Sequence, residues 1–149
     1  MKTLTLSFIF IFFVFTVYSQ EPLKVAVAGL SHGHVDWIFN RTEKKDVKLV
    51  GIFETNPELV DRYAKRYHID KSLFFSNLEE MLDTIKPDAV SAFGPISDHI
   101  HVVRACAPRE IHVMVEKPLA TSLLEAKEIN DLANKFKIQV LTNFETSWY

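Results

Sequence analysis

From Leu23 onward the chain alternates short apolar runs with longer amphipathic stretches. Lys24–Ala28 (KVAVA) is β-branched and apolar, ends at Gly29, and predicts a strand. Val35–Lys44 predicts a helix with Val35, Ile38 and Phe39 on one face. Val47–Phe53 (VKLVGIF) predicts a second strand. Asn56, followed by Pro57, has the layout of a helix N-cap with proline in the first turn. That helix runs to about Tyr67, with Leu59, Val60, Tyr63 and Ala64 inward. A short strand over Leu73–Phe75 precedes a helix capped by Asn77, ending at Ile85, with Glu80 at the capping-box position. A fourth strand is expected over Asp88–Phe93, then a helix over Ser97–Ala107 stopped by Pro108. Ile111–Val115 is a fifth strand, a helix opened by Thr121 or Ser122 reaches about Phe136, and Ile138–Thr142 is a sixth strand.

Strands alternating with helices of about ten residues imply βαβ units and a parallel sheet. Right-handed crossovers then place helices on both faces. The predicted fold is α/β: a Rossmann-type, doubly wound parallel sheet of about six strands in three αβα layers. Ligands of such sheets bind at the carboxyl ends of the strands. Candidate chemistry therefore lies in Gly29–His34, Glu54, Gly94–His99, Glu116–Pro118 and Asn143 onward.

The first 19 residues follow a different pattern. Lys2 precedes an apolar run, Leu4–Tyr18, which holds five of the twelve phenylalanines. A short positive start, an apolar middle and small residues at Val17 and Ser19 are the layout of a secretory signal. Cleavage is expected after Ser19, which makes the product secreted or periplasmic; if the leader stays uncleaved, it is the chain's only membrane contact. The run is shorter than the roughly 20 residues a helix needs to span a bilayer. What remains, residues 20–149, has room for one domain. Lys and Arg total 17 against 19 Asp and Glu, a net charge of −2, which gives no electrostatic case for a nucleic-acid partner. The single cysteine, Cys106, excludes an internal disulfide and any cysteine-based zinc site, and reads as core.

The first turn reads Gly29-Leu30-Ser31-His32-Gly33-His34. A dinucleotide fingerprint carries glycine at the first, third and sixth positions of such a turn. Here only the first is kept, with Ser31 and His34 at the other two and Gly33 one place early. Glu54 ends the second strand about 25 residues on, where an acidic side chain accepts hydrogen bonds from a ribose. Its charge repels a 2′-phosphate, and Thr55 and Asn56 offer no compensating cation, so NAD is favoured over NADP. Glu116-Lys117-Pro118 places two charges directly after a buried run, where they need partners. Lys117 held there would bind a substrate hydroxyl and stabilise a developing alkoxide. Two His-x-His pairs occur, His32 with His34 and His99 with His101. Imidazole is the commonest metal ligand, but the expectation is no metal site. One histidine of each pair faces the cleft, and the other is surface or packing.

Together these residues resemble the N-terminal domain of the Gfo/Idh/MocA oxidoreductases, over Leu23 to Tyr149. Glu116-Lys117-Pro118 is that family's most specific motif and is intact. The segment after the fourth strand keeps Pro95 and His99 of the family pattern, without its Thr and Asn. Asn143 matches a family position near the nicotinamide. The resemblance implies hydride transfer between a nicotinamide cofactor and a sugar or polyol. It implies Lys117 in contact with substrate and nicotinamide, and Glu116 positioning the cofactor ribose. It assigns Gly29, Ser31, His32, Gly33, His34, Glu54, Pro95, His99, Glu116 and Asn143 to the cofactor. It also implies homo-oligomers and a second α/β domain carrying a general acid/base histidine and much of the sugar pocket. The chain stops at Trp148-Tyr149, where that domain would begin, so the expectation is a fragment that binds NAD without turnover. Two alternatives stay open: a non-catalytic nucleotide- or sugar-binding module, and a metal-dependent hydrolase fragment.

Overall fold

The computed structural model describes residues 21–41 and 45–144, so the expected leader lies outside the described residues. Six strands form one sheet: β1 (Leu23–Ala28), β2 (Val47–Phe53), β3 (Phe74–Phe75), β4 (Ala89–Ala92), β5 (His112–Glu116) and β6 (Val140–Asn143). Among the described residues five α-helices connect them: α1 (Val35–Phe39), α2 (Pro57–Tyr67), α3 (Leu78–Ile85), α4 (His99–Cys106) and α5 (Leu123–Phe136). The strand order is β3-β2-β1-β4-β5-β6, and every pairing is parallel. This is the doubly wound Rossmann order, with its switch between β1 and β4.

The two faces of β1 bury different partners because side chains alternate along a strand. Ala26 and Ala28 face a core with Met81 and Leu82 of α3, Val103 and Cys106 of α4 and Ile129 of α5. Val27 faces the other way, onto Val35 and Phe39 of α1 and Tyr63 of α2. These are the three expected layers. The small alanines let α3 and α4 approach the centre of the sheet closely.

Local chemistry fixes the helix starts. The Asn56 side chain accepts from the Glu58 N–H at 2.9 Å, with Pro57 in the first turn. Asn77 accepts from the Glu80 N–H at 2.8 Å, and Ser122 accepts from the Glu125 N–H at 3.2 Å. Each satisfies a donor that the helix itself leaves orphaned.

Several boundaries differ from expectation. α1 ends at Phe39, with turn bonds carrying the chain to Arg41; residues 42–44 lie outside the described set. The stretch from Ser97 is split: a 3₁₀ turn over Ile96–Asp98, then α4 from His99 to Cys106. The α-helix ends at Cys106, just ahead of Pro108 as expected, and Pro108 itself sits inside a further 3₁₀ turn, Ala107–Arg109. Proline lacks only an N–H, which the first residues of a new turn do not use. β5 begins one residue late and includes Glu116, because Glu116 still pairs in register with Asn143 of β6.

Candidate functional site

The carboxyl ends of β1 and β4 meet at the switch point, and the Gly29–His34 turn crosses them. Gly29 has φ +82°, and a Cβ there would lie 2.6 Å from both the Cα and N of Gly94. Only glycine permits this approach of two backbones. The turn is tied down from both sides. Gly29 N–H donates to the Phe53 carbonyl at 2.8 Å, and His32 N–H to the Phe93 carbonyl at 2.9 Å.

Glu54 is built into the same turn. Its Oε2 accepts from Leu30 N–H and its Oε1 from Asn56 N–H, each at 2.8 Å. A carboxylate has about four lone-pair sites, so two remain for further donors. Beside it runs a cleft of about 270 Å³, lined among others by Gly29, Ser31, Glu54, Gly94, Pro95 and His99. Asp98 and Thr55 also line it, and neither was singled out in the sequence. Thr55 stands two residues after β2 and Asp98 closes the 3₁₀ turn Ile96–Asp98, and closeness to a strand or turn end is the signal that would have found them. His99 is fully buried; its Nδ1 donates to the Leu119 carbonyl at 3.2 Å. The buried Nε2 of His99 has no hydrogen-bond partner among the described residues. His101, the other member of its pair, is exposed on α4.

A second group gathers at the end of β5. Glu116 is 1% exposed. Its Oε1 accepts from Asn143 Nδ2 at 2.6 Å and from His34 Nδ1 at 3.1 Å. The His34 ring lies flat on Trp37, with centroids 4.2 Å apart, and edge-on to His32 at 4.5 Å. Trp37 stands one helical turn after His34, so the contact follows from i,i+3 spacing. Gly33 is exposed in the turn, and a Cβ placed there would meet nothing within 4 Å. Lys117 is exposed and has no ion-pair partner among the described residues. The structure thus places Gly29, Ser31, Glu54, Pro95 and His99 on one cleft, and His32, His34, Glu116 and Asn143 in a neighbouring cluster. Cys106 belongs to neither. It is buried in the core, and desolvation pushes its thiol up to about 12.

A dinucleotide needs a backbone free of side chains at the switch point, an acid at the end of β2, and open N–H groups in the turn. Gly29 against Gly94 meets the first requirement and Glu54 the second. The N–H groups of Ser31 and Gly33 have no partner among the described residues. The residues present fit the group.

A larger groove of about 830 Å³ lies at the amino ends of β1 and β2, lined by Lys24, Lys45, Lys48, Asp46 and Asp88 among others. It is far from the switch point, and its oppositely charged side chains partly neutralise one another.

Residues 23–144 match the Gfo/Idh/MocA oxidoreductase family, described by its NAD-binding Rossmann fold. The chain is 27% identical over 121 residues to a D-glucoside 3-dehydrogenase of Escherichia coli, covering 78% of this chain and 33% of that one. It is 25% identical over 120 residues to a glucose-6-phosphate 3-dehydrogenase of Bacillus subtilis, covering 80% and 32%. An oxidoreductase of Agrobacterium radiobacter, solved in complex with NAD+, L-tartaric acid and magnesium, superposes with a TM-score of 0.77 at 19% identity. That match covers 87% of this chain and 37% of the other, and it shows the shared fold. The chain spans about a third of the length of the curated relatives it matches.

Proposed function

The chain belongs to the Gfo/Idh/MocA oxidoreductases, a family with an NAD-binding Rossmann fold, and on that premise we propose that it is the nucleotide-binding part of an enzyme acting on a CH–OH group of a sugar or polyol. The observation that carries this reading is Glu54, held by two backbone N–H groups beside the Gly29–Gly94 approach. NAD when bound supplies a hydride acceptor or donor. Glu54 receives the ribose hydroxyls and repels a 2′-phosphate, which favours NAD over NADP. Gly29, Ser31 and Gly33 receive the diphosphate with backbone and hydroxyl donors. Pro95 and His99 form the opposite wall of the cleft. Glu116, oriented by Asn143 and His34, positions the nicotinamide ribose. The Lys117 ammonium binds the substrate hydroxyl and stabilises the alkoxide that develops as this hydroxyl gives up its proton, ahead of the carbonyl that forms when hydride leaves carbon. The relatives named for dehydrogenation of a glucoside and a sugar phosphate support the substrate class.

NADH fluorescence titration and thermal shift test the reading on the full chain. Millimolar NAD raises the melting temperature, since a ligand of the native state stabilises it. Glu54→Ala weakens NAD by about tenfold or more, the value of a hydrogen bond to a charged group, and narrows the preference over NADP. No stabilisation by either nucleotide overturns the proposal; an unchanged affinity ratio in Glu54→Ala removes Glu54 from the site.

One observation favours a second reading, a binding module without turnover. His34 stands where the fingerprint has its third glycine, and its ring engages Glu116. Cofactor binding without hydride transfer across a sugar panel, in a polypeptide that carries the relatives' full length, would select it.

The Lys2–Ser19 layout supports export to a secreted or periplasmic location. Free NAD is scarce there, so the exported enzyme holds its cofactor through a ping-pong cycle. Purification of the exported protein free of nicotinamide would refute that retention.

A further inference from the structure

We infer that His32, His34 and Glu116 form a binding site for a divalent transition-metal ion of the zinc or cobalt type. The inference does not depend on the oxidoreductase reading. Each of the three residues offers one donor atom, and these atoms lie within 4.8 Å of one another. His34 Nδ1 and Glu116 Oε1 are already 3.1 Å apart. Two ligands about 2.1 Å from one ion stand roughly 3.4 Å apart in tetrahedral geometry, so this pair needs only a small outward adjustment. The ion takes the place of the proton the two atoms share. His32 supplies the third donor. Its Nδ1 receives only a long 3.3 Å contact from the His34 N–H. Accepting that contact places a lone pair on Nδ1, and the ring, only partly buried, is able to turn toward the other two donors.

The second observation is the state of Glu116. The carboxylate is 1% exposed, and its Oε2 has no hydrogen-bond partner among the described residues. No Lys or Arg stands at ion-pair distance from it among them. A buried carboxylate with one oxygen left unpartnered carries a large desolvation cost. A cation between the imidazoles and the carboxylate removes it.

The donor set decides the class of ion. Two imidazoles and one carboxylate suit Zn²⁺, Co²⁺ or Ni²⁺ and not the all-oxygen shells of Ca²⁺ and Mg²⁺. The surroundings already hold the ligands in place. Asn143 Nδ2 donates to Glu116 at 2.6 Å, and Trp37 stacks on the His34 ring. Such outer contacts orient metal ligands. Three protein ligands leave at least one coordination position open to an oxygen from water or a bound molecule.

The test uses tag-free full-length chain, made metal-free by chelation and titrated with Co²⁺ alone, without nucleotide. The expected result is one equivalent bound, with visible ligand-field absorption and quenching of Trp37, whose ring is 4.2 Å from His34. Zn²⁺ displaces the cobalt signal. His32→Asn and Glu116→Gln each weaken binding at least about tenfold, the scale on which even outer-contact losses are felt. The exposed control His101→Asn leaves binding unchanged. Far-UV circular dichroism establishes that each variant is folded, and His32→Asn, at a partly exposed position, is the variant least able to disturb the core. Absence of stoichiometric binding overturns the inference. So does binding that survives in His32→Asn and Glu116→Gln, or that falls equally in His101→Asn. An absence of metal binding with NAD affinity intact overturns this inference alone.

Discussion

Replacing Gly29 by alanine is the sharpest test of the switch point. The new methyl would lie 2.6 Å from the Cα and N of Gly94 and 3.3 Å from the carbonyl carbon of Phe93, at a φ of +82°. All three neighbours are backbone, so no side chain is able to swing away. Nor is retreat easy. Gly29 N–H is bound to the Phe53 carbonyl, and Phe93 N–H to the Ala28 carbonyl, each at 2.8 Å. The positive φ costs an alanine about 1–2 kcal/mol, and forcing a methyl into filled space costs about 1–3 kcal/mol more. The sum, about 2–5 kcal/mol, is a large share of the 5–15 kcal/mol typical of a domain. It lowers Tm by roughly 10 °C. Urea unfolding followed by circular dichroism measures it. Gly94→Ala is the matched control: its methyl would meet nothing nearer than Asp98 Oδ2 at 3.7 Å. The two substitutions face each other across the same contact, yet only Gly29→Ala is expected to lose stability. Equal urea midpoints for the pair would refute the close approach and the argument built on it.

Other outcomes follow from the same geometry. Cys106, its thiol pushed up to about 12 by burial, stays neutral at physiological pH; disulfide reagents should label it only in denaturant, and rapid stoichiometric labelling of native protein would contradict this. Ser122→Ala should cost about 1 kcal/mol in urea unfolding, because the Glu125 N–H loses its cap; no change would show that another acceptor replaces it. Acid should destabilise the fold through four carboxylates held below their ordinary range among the described residues, the first being Asp70, which accepts hydrogen bonds from Ser72. Asp83 is held by a hydrogen bond from Arg109, Glu125 by one from Thr121, and Glu128 by one from Arg104. A depressed folded pKa gives stability that is complete above the ordinary carboxylate range and lost as pH falls through it and below. The urea midpoint should therefore be level near neutrality and decline below about pH 4–5; a midpoint flat into strong acid would refute the assignment.

What the sequence revealed was local. The caps Asn56, Asn77 and Ser122 bond within two or three residues of themselves, so a short window contains both partners. Strand and helix positions follow from periods of 2 and 3.6, which any stretch displays before it meets another. Gly29 and Glu54 were legible because a βαβ unit sets the separation between the end of one strand and the end of the next. Where expectation and structure part, a distant partner or a tolerant turn decided. Glu116 belongs to β5 because Asn143, 27 residues later, pairs with it. The α-helix ends ahead of Pro108, but the chain carries on through it as a 3₁₀ turn, which the missing N–H tolerates and the sequence pattern does not anticipate. The His32–His34 pair is visible in any scan of the chain, yet Glu116 is 82 residues from His34. Only the sheet, by setting β5 two places from β1, brings that carboxylate to the imidazoles. Sequence thus determined the elements and which of their ends carry chemistry. Tertiary structure decided which ends meet, because contacts across a sheet depend on strand order, and strand order is not written in any local period.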